Sequence, residues 1–318
     1  MDKLLSICIP TFNRGDLLAI QLQRLSDQIE KLNINENLIE ILISDNNSSD
    51  NTSNKIQHFT KKKYIRYFFN KENIGPDANF LQLFQIAQGD YIWLLGDDDL
   101  FSSDIIDYLI SKLSSKEIDY LYLKAGKGLH KSQINFVNSH EDFLKTVTIF
   151  STFMSSQVIK RTLLTARLDE AHAYLGGFMA YYFLFVDAIR NSSIISISAK
   201  RKIFPGSTNN TGGYGFFTVW SKSVFDVLKE VEFADPYLFD LMRADMFWKL
   251  LLPIYIKTKL NDTKRFELED SKEPLGNYFA DRIKVFAFLS AKRNNLTLRI
   301  LLLGINLLNL RYIFIRRF

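Results

Sequence analysis

The first hundred residues alternate short β-branched apolar runs with segments of helical periodicity, and this alternation constrains the fold more than any other feature. In the helical segment 16–29, the apolar residues recur at steps of four, three and four, which places them on one helix face: Leu18, Leu22, Leu25 and Ile29. Strands that alternate with helices are typical of a mainly parallel sheet flanked by helices. The predicted strands are residues 4–9, 39–44, 65–69 and 91–95, and the predicted helices are residues 16–29 and 78–88. We therefore predict an α/β fold.

A polar motif follows each predicted strand. These motifs occupy residues 10–14, 45–50, 70–77 and 96–99. Parallel strands end at the same edge of a sheet, and α/β proteins bind ligands in the crevice outside that edge. We therefore expect the four loops to converge on one ligand-binding crevice.

The acidic run Asp97, Asp98 and Asp99 follows the last of these strands. Three adjacent carboxylates repel one another unless water or a cation relieves the repulsion. Carboxylate oxygens suit Mg²⁺ or Mn²⁺, and such an ion would draw negative charge from a departing diphosphate. A solvated turn that caps the next helix explains the same residues about equally well. The preceding apolar strand favours the metal site, because it delivers the acids to the crevice.

Four motifs, in this order, resemble the family 2 glycosyltransferases, which have a GT-A fold. They are Ser-Ile-Cys-Ile-Pro-Thr-Phe-Asn-Arg at 6–14, Ser-Asp-Asn-Asn-Ser-Ser-Asp-Asn-Thr at 44–52, Asn-Ile-Gly at 73–75 and Leu-Leu-Gly-Asp-Asp-Asp at 94–99. The last motif, together with Asn-Asn-Thr-Gly-Gly at 209–213, resembles more narrowly the abequosyltransferase-like enzymes of bacterial O-antigen assembly, which use nucleotide-activated deoxysugars. The resemblance covers roughly residues 1–215.

The resemblance implies roles for the residues that match these motifs. Residues that line the nucleotide are expected to be Pro10, Thr11, Asn13 and Arg14, with Asp45 at the base and with Asn73, Gly75 and Asn79 shaping the donor pocket. Asp98 and Asp99 are expected to bind the metal, and Asp97 to lie near the ribose. Many relatives read Asp-x-Asp-Asp here, whereas this chain has Gly96 at the first position. The division of labour among the three aspartates therefore stays open.

An inverting sugar transfer requires a base that takes the proton of the acceptor hydroxyl. The family usually places this base well after the acidic run, but this chain has no Glu-Asp pair at that distance. The candidates are His172, Glu170 and Asp187. We rank the first two higher, because the loop that ends in Gly176 and Gly177 could fold over a site, whereas the aromatic neighbours of Asp187 indicate packing. A solvated charge or a structural histidine would also explain each candidate.

The segment 200–215 combines three cations with a Gly- and Asn-rich stretch. Lys200, Arg201 and Lys202 near a departing diphosphate would stabilise it, although an ordinary basic strand and surface loop would have the same pattern. Asn209 and Asn210 are candidates for hydrogen bonds to an acceptor sugar. We predict a domain boundary near this stretch, with a GT-A domain at 1–215 and a helical C-terminal region at 216–318.

The net charge of +5 comes from the C-terminal region. Residues 282–318 contain eight basic and no acidic residues, so the rest of the chain carries −3, which is 5 minus 8. The main body therefore gives no reason to expect nucleic-acid binding. Residues 296–318 interleave Leu and Ile with arginines, and their apolar stretch is shorter than the roughly 20 residues that span a bilayer. We expect peripheral contact with an anionic membrane surface; packing on the protein or in a homodimer is the alternative.

The only cysteine, Cys8, excludes an internal disulfide and favours a reducing compartment. We see no secretory signal at the first residues, so we expect a cytoplasmic protein at the inner face of a bacterial plasma membrane.

Together, the motifs predict an inverting, metal-dependent transferase that moves a sugar from a nucleotide-diphosphate donor to a hydroxyl of a surface-glycan intermediate. The narrower match suggests a deoxyhexose as the sugar and a lipid-linked acceptor. Two alternatives are a nucleotide-sugar-binding module without turnover and a nucleotidyl transferase. The second is disfavoured, because no Gly- and Lys/Arg-rich phosphate loop follows the first strand.

Overall fold

The computed structural model describes residues 3–125, 132–206, 219–230 and 235–251. The strands are β1 Leu5–Thr11, β2 Ile39–Asp45, β3 Ile65–Phe69, β4 Tyr91–Leu94, β5 Leu100–Phe101, β6 Tyr120–Tyr122, β7 Ile134–Val137, β8 Gln157–Lys160, β9 Ile194–Ile197 and β10 Ile203–Phe204. The α-helices are α1 Gly15–Lys31, α2 Thr52–Ile56, α3 Pro76–Ile86, α4 Ile105–Leu113, α5 His140–Val147, α6 Arg161–Leu164, α7 Leu168–Ala171, α8 Ala180–Asn191, α9 Val224–Glu230 and α10 Pro236–Met246.

An eight-stranded sheet forms the centre of the molecule, in the order β3-β2-β1-β4-β8-β6-β9-β7. Strands β1 to β4 are parallel, and β6 and β9 run in the same direction. Only β8 and β7 run antiparallel to their neighbours in this sheet. The strands β5 and β10 pair separately as a short antiparallel ribbon. The prediction of a mainly parallel sheet flanked by helices is confirmed.

The register of the parallel strands brings their carboxyl ends together. Thr11 at the end of β1 lies opposite Asp45 at the end of β2, and Asp45 lies opposite Phe69 at the end of β3. Cys8 lies opposite Leu94 at the end of β4. We use the term crevice edge for the side of the sheet at which the carboxyl ends of β1 to β4 lie. All four predicted loops leave the sheet at the crevice edge.

Apolar side chains cover both faces of the sheet because successive strand residues point to opposite faces. In β1, Ile7 and Ile9 join the core beneath α1 and α4, whereas Cys8 joins the core that includes α3, α5 and α8. The predicted apolar stripe of α1 is buried against the first of these cores. Burial also raises the pKa of the Cys8 thiol, which disfavours a reactive thiolate.

Helices α9 and α10 pack on the second core, against α8 and α5 respectively. The predicted domain boundary at 215, the asparagines Asn209 and Asn210, and the tail 296–318 lie outside the described residues. The membrane contact of that tail therefore stays a prediction. Among the helices that the structure describes, none is long and apolar enough to cross a membrane.

Candidate functional site

Hydrogen bonds join the loops that follow β1 and β2. The backbone N–H of Asn46 donates to the carbonyl of Thr11 at 2.9 Å. Asn13 donates its backbone N–H to Ser48 Oγ at 2.8 Å, and its Oδ1 accepts from the backbone N–H of Ser49 at 2.8 Å. Asn13 has a φ of 53°, a left-handed conformation that asparagine tolerates better than most residues. The first two predicted loops therefore form one wall of the crevice.

A network of side-chain amides connects the end of β2 to the start of α3. Asn79 is buried; its Nδ2 donates to the Ser44 carbonyl at 3.0 Å and its Oδ1 accepts from Ser44 Oγ at 2.5 Å. Asn73 Oδ1 accepts from Asn46 Nδ2 at 2.8 Å and from the Gly75 N–H at 2.9 Å. Gly75 has a φ of 80°, which favours glycine at this turn. The structure thus brings the predicted donor-pocket residues together.

Asp45 lies in this wall with both carboxylate oxygens engaged. Its Oδ1 accepts from the backbone N–H of Ser48 at 2.8 Å, and its Oδ2 accepts from the hydroxyl of Tyr67 at 2.8 Å. Burial and the Asp45 carboxylate raise the pKa of Tyr67. Each carboxylate oxygen has a further lone pair, but the residue is fully buried in the described structure. Its contact with a nucleotide base stays a prediction.

Asp97 connects the acidic run to the loop after β1. Its Oδ2 accepts from Thr11 Oγ1 at 2.9 Å, and its Oδ1 accepts from Arg14 Nη1 at 2.9 Å. The same guanidinium lies 3.6 Å from Asp98 Oδ2. Burial raises the pKa of Asp97 to about 6, although Arg14 and Thr11 oppose this shift. The first and fourth loops therefore meet through an ion pair.

Asp99 is fixed to the protein from two sides. Its Oδ2 accepts from Ser155 Oγ at 2.5 Å, and its Oδ1 accepts from the Gly206 N–H at 2.9 Å. Burial raises the pKa of Asp99 despite these two hydrogen bonds. Gln21 Nε2 donates to the carbonyls of Gly96 and Asp99, at 3.0 Å and 2.8 Å. These contacts hold the turn and fix the Asp99 carboxylate between Ser155 and Gly206.

Gly96 has a steric reason to be glycine. A Cβ added at this position would lie 2.7 Å from Asp99 Oδ2, closer than Cβ atoms come to other atoms. An aspartate at position 96 would therefore displace the Asp99 carboxylate from Ser155. Glycine at position 96 therefore leaves room for the Asp99 carboxylate at Ser155, a relation that the sequence does not reveal.

Asp98 differs from its neighbours in exposure. Its side chain is 20% exposed, compared with 6% for Asp97. Within the described ranges, no group of three or more His, Cys, Asp or Glu side chains is arranged to hold a metal ion by itself. Mg²⁺ commonly binds one or two carboxylates together with water and substrate phosphates. This donor set fits an ion that shares its coordination with a bound diphosphate.

Two of the three candidate bases share a partner, Arg167. Its Nε donates to Glu170 Oε1 at 2.8 Å, and its Nη1 lies 3.2 Å from Asp187 Oδ1. These hydrogen bonds from Arg167 lower the pKa of Glu170, which makes it a weaker proton acceptor. Asp187 is buried and is the eighth residue of α8, so it lies about 10 Å along the helix axis from the first residue. The structure groups these two acids with Arg167.

His172 is exposed and is not one of the two candidates that contact Arg167. Its Nδ1 lies 3.1 Å from the Leu168 carbonyl and 3.2 Å from the Asp169 carbonyl. Because a carbonyl oxygen only accepts hydrogen bonds, Nδ1 carries the proton and Nε2 is the basic nitrogen. This tautomer leaves Nε2 as the atom that would accept a proton.

The basic segment before the Gly-rich stretch lies beside the acidic run because β10 pairs with β5. Lys202 is buried, with its Nζ 2.6 Å from Asp104 Oδ2 and 4.3 Å from the centroid of the Tyr108 ring. The guanidinium of Arg201 lies 4.3 Å from the centroid of the Phe204 ring, and Lys200 is exposed. The ammonium group of Lys202 therefore contacts residues at the start of α4.

Two residues that fix the acidic run were missed by sequence reasoning. Gln21 lies three residues after Leu18 and next to Leu22, so it falls on the buried face of α1. A polar residue on an apolar helix face was an available signal. Ser155 offers no such signal, because it lies 56 residues from Asp99 along the chain.

A family model and several curated proteins match the sequence of this chain. The model of glycosyl transferase family 2 matches residues 6–189. The abequosyltransferase RfbV of Salmonella typhimurium is 38% identical over 146 residues, which cover 45% of this chain and 42% of that protein. The GalNAc(5)-diNAcBac-PP-undecaprenol beta-1,3-glucosyltransferase of Campylobacter jejuni is 33% identical over 170 residues, covering 48% of this chain and 52% of that protein. The chain thus spans about half the length of these curated relatives.

Solved structures share the fold at low sequence identity. S. aureus TarS 1-349 in complex with UDP-GlcNAc superposes with a TM-score of 0.61 at 15% identity, over 89% of this chain and 81% of that one. The mannosyltransferase PcManGT from Pyrobaculum calidifontis, in complex with GDP-Man and Mn²⁺, gives a TM-score of 0.51 at 13% identity, over 98% of this chain and 81% of that one. The predicted GT-A fold is confirmed. Since the family model also covers more than half of its residues, the chain belongs to glycosyl transferase family 2.

Proposed function

We propose that this chain transfers a sugar from a nucleoside-diphosphate donor to a hydroxyl group of a bacterial surface-glycan intermediate. The observation that carries the proposal is the convergence of the loops after β1 to β4, which the Thr11–Asp97 and Arg14–Asp97 contacts join at the crevice edge. The names of the Salmonella and Campylobacter relatives support this substrate class, and the second supports a lipid-linked acceptor. The name of the first also supports a deoxyhexose as the transferred sugar.

In this proposal the donor nucleotide occupies the crevice edge between the loops. The residues that line it or shape its pocket are Pro10, Thr11, Asn13, Arg14, Asp45, Asn73, Gly75 and Asn79. Asp97 lies near the ribose, on the side of Thr11 and Arg14. The hydrogen bonds already present among these residues hold the pocket in shape before the donor arrives, which reduces the ordering cost of binding.

Asp98 is the main protein ligand of a divalent cation in this proposal, with Mn²⁺ or Mg²⁺ as the ion. The partly exposed carboxylate of Asp98 supports this role. The carboxylate of Asp99 instead accepts hydrogen bonds from Ser155 and Gly206 and stabilises the turn. When bound, the ion supplies Lewis-acid stabilisation of the negative charge on the departing diphosphate.

The transfer is a single displacement with inversion. The acceptor oxygen attacks the anomeric carbon, the bond to the diphosphate breaks, and a base takes the hydroxyl proton. His172 is the base that we favour, because Nε2 is its basic nitrogen while Arg167 pairs with both Glu170 and Asp187.

A thermal-shift panel tests the donor site and the metal ligand together. The panel compares UDP, GDP and CDP, each with and without Mn²⁺, on the wild type and on Asp98→Ala. Asp107→Ala, an exposed aspartate in the first turn of α4, is the matched control. At a concentration 100 times Kd, a nucleotide stabilises the folded state by about 2.7 kcal/mol. We expect one nucleotide to raise the Tm with Mn²⁺, and Asp98→Ala to lose the Mn²⁺-dependent part.

Two results would contradict this proposal separately. If no nucleotide stabilises the wild type even with Mn²⁺, the donor site is wrong. If the Mn²⁺-dependent shift survives in Asp98→Ala, the metal role of Asp98 is wrong while the donor site stands. Release of nucleoside diphosphate from a sugar donor would eliminate the rival reading of a binding module without turnover.

A further inference from the structure

A buried carboxylate of α3 caps the start of α8. Asp77 lies in the first turn of α3 and is 2% exposed. Its Oδ2 accepts from the backbone N–H of Phe178 at 2.8 Å, and its Oδ1 accepts from the N–H of Ala180 at 3.1 Å. The first N–H groups of a helix have no partner within the helix. A side chain of one helix therefore satisfies the start of another that is about a hundred residues away.

The loop before α8 has an unusual backbone. Gly176 has a φ of 81° and Phe178 a φ of 58°. A bulky residue such as phenylalanine seldom adopts a positive φ, and such a conformation persists only where surrounding contacts hold it. The hydrogen bond from the Phe178 N–H to Asp77 helps to hold this conformation. The shape of the loop 174–179 thus depends on α3.

The start of α3 belongs to the donor side of the crevice. Asn73 and Gly75 precede this helix, and the hydrogen bonds of Asn73 and Asn79 tie it to the end of β2. The loop 174–179 begins two residues after His172, and the Leu175 N–H donates to the His172 carbonyl at 3.3 Å. Asp77 therefore provides a direct hydrogen-bonded link between the helix that follows the donor pocket and the loop next to the favoured base.

We propose that Asp77 is a positioning residue that couples occupancy of the donor pocket to the order of the loop 174–179. A bound nucleotide restricts the start of α3 through Asn73, Gly75 and Asn79. Since Asp77 lies in the first turn of the same helix and accepts hydrogen bonds from the N–H groups of Phe178 and Ala180, this restriction passes to the loop and to α8. The inference rests on the proposed function, in that a nucleoside diphosphate binds at the crevice edge.

Hydrogen–deuterium exchange of the full chain tests the coupling. The probes are UDP, GDP and CDP, each with Mn²⁺, and the variants are Asp77→Asn and the exposed control Asp107→Asn. Asparagine keeps the size of the side chain but places an NH₂ group against one of the two N–H donors. In the wild type and the control, we expect the nucleotide that binds to slow exchange at least threefold in peptides 73–79 and 176–183. In Asp77→Asn, only 73–79 responds.

The informative quantity is the change in the exchange rate of peptide 176–183 when nucleotide is added. If Asp77 only stabilised the loop, Asp77→Asn would alter this exchange rate equally with and without nucleotide. All measurements are made well below the Tm of each variant. If Asp77→Asn does not fold, Asp77→Glu takes its place; it keeps the charge but moves the carboxylate, and we expect the same loss of the loop response.

The outcomes separate the coupling from the proposed function. If nucleotide slows exchange at 73–79 in every variant while 176–183 responds in Asp77→Asn as in the wild type, the coupling is wrong and the donor site stands. The coupling is also wrong if 176–183 fails to respond in the wild type. If no nucleotide slows exchange in the wild type, the donor site is wrong and the coupling falls with it.

Discussion

At the residue scale, the repulsion among the three aspartates of the acidic run is relieved by the protein itself. Arg14 lies 2.9 Å from Asp97 and 3.6 Å from Asp98, so one guanidinium offsets two carboxylates. Asp99 accepts hydrogen bonds from Ser155 and Gly206, which favour its ionised form. Because burial raises the pKa of Asp97 to about 6, its carboxylate is largely ionised at pH 7 and becomes protonated as the pH falls through 6.

The identity of the base is a prediction at the same scale. His172→Gln keeps a polar side chain but removes the proton acceptor, and general bases contribute about 10²–10⁴-fold to rates. We expect the transfer rate to fall within this range while the Kd of the donor is unchanged. The thermal-shift panel identifies the nucleoside diphosphate that stabilises the chain most. The rate is then measured with a sugar donor that carries the same nucleoside diphosphate. Glu170→Gln, which lies two residues away on the same segment, is the control and retains most of the rate.

A different ranking would reverse this assignment. If Glu170→Gln or Asp187→Asn abolishes transfer while His172→Gln remains active, the base is a carboxylate. The contact of Arg167 with that carboxylate would then have to break when the acceptor binds. Such a result would leave the donor site and the metal ligand untouched, since neither contacts Arg167.

At the scale of elements, Asp119 connects the three neighbouring strands β8, β6 and β9. It precedes β6, accepts from Lys160 Nζ of β8 at 3.0 Å, and accepts from the Ser193 and Ile194 N–H groups before and at the start of β9. Burial alone would raise the pKa of Asp119, but these hydrogen bonds outweigh it and hold the pKa below its ordinary value. The ionised carboxylate therefore stabilises the folded state.

The sign of this shift gives a pH-dependent prediction. A folded-state pKa below the unfolded one contributes stability above the ordinary pKa of about 3.9, and the contribution is lost as the pH falls through the folded value. Asp119→Asn should lower the free energy of unfolding by about 1.5–3 kcal/mol at pH 7. Urea unfolding at pH 7 and at about pH 3, which lies below the ordinary pKa of aspartate, should show the difference shrinking at the lower pH. Glu117→Gln, an exposed neighbour, should show no such trend. A difference that does not shrink on going from pH 7 to about pH 3 would contradict this role.

Sequence patterns predicted the elements of the first half well because the local signal there is strong. The helical stripe of α1 and the loops after β1 to β4 depend on spacing within one segment, which periodicity reports. The antiparallel direction of β8 and the cap of Asp77 on α8 depend on partners far along the chain. Ser155 is the same case at the candidate site: its hydroxyl fixes Asp99, yet nothing in its local sequence predicts that contact.

At the scale of the whole molecule, the sheet separates two cores that differ in how far along the chain they reach. The core beneath α1 and α4 draws on residues between Leu4 and Ile203, whereas the core on the other face continues to Leu251. Helices α9 and α10 therefore belong to the same packed unit as α8. Beyond the predicted boundary near 215, the described segments 219–230 and 235–251 are helical, and we propose that this boundary does not separate two cores.

Unfolding of a single-site variant tests this arrangement. Leu238 in α10 is fully buried in the core that contains α5 and α8, whereas its neighbour Tyr237 is 41% exposed. Leu238→Ala should destabilise by about 2–5 kcal/mol, because truncation leaves a cavity, and Tyr237→Ala should have little effect. If α10 shares one core with the sheet, far-UV circular dichroism and tryptophan fluorescence will report one coincident transition that Leu238→Ala shifts as a whole. A first transition that Leu238→Ala shifts alone, with a second at the wild-type midpoint, would show that the helical region unfolds as an independent unit.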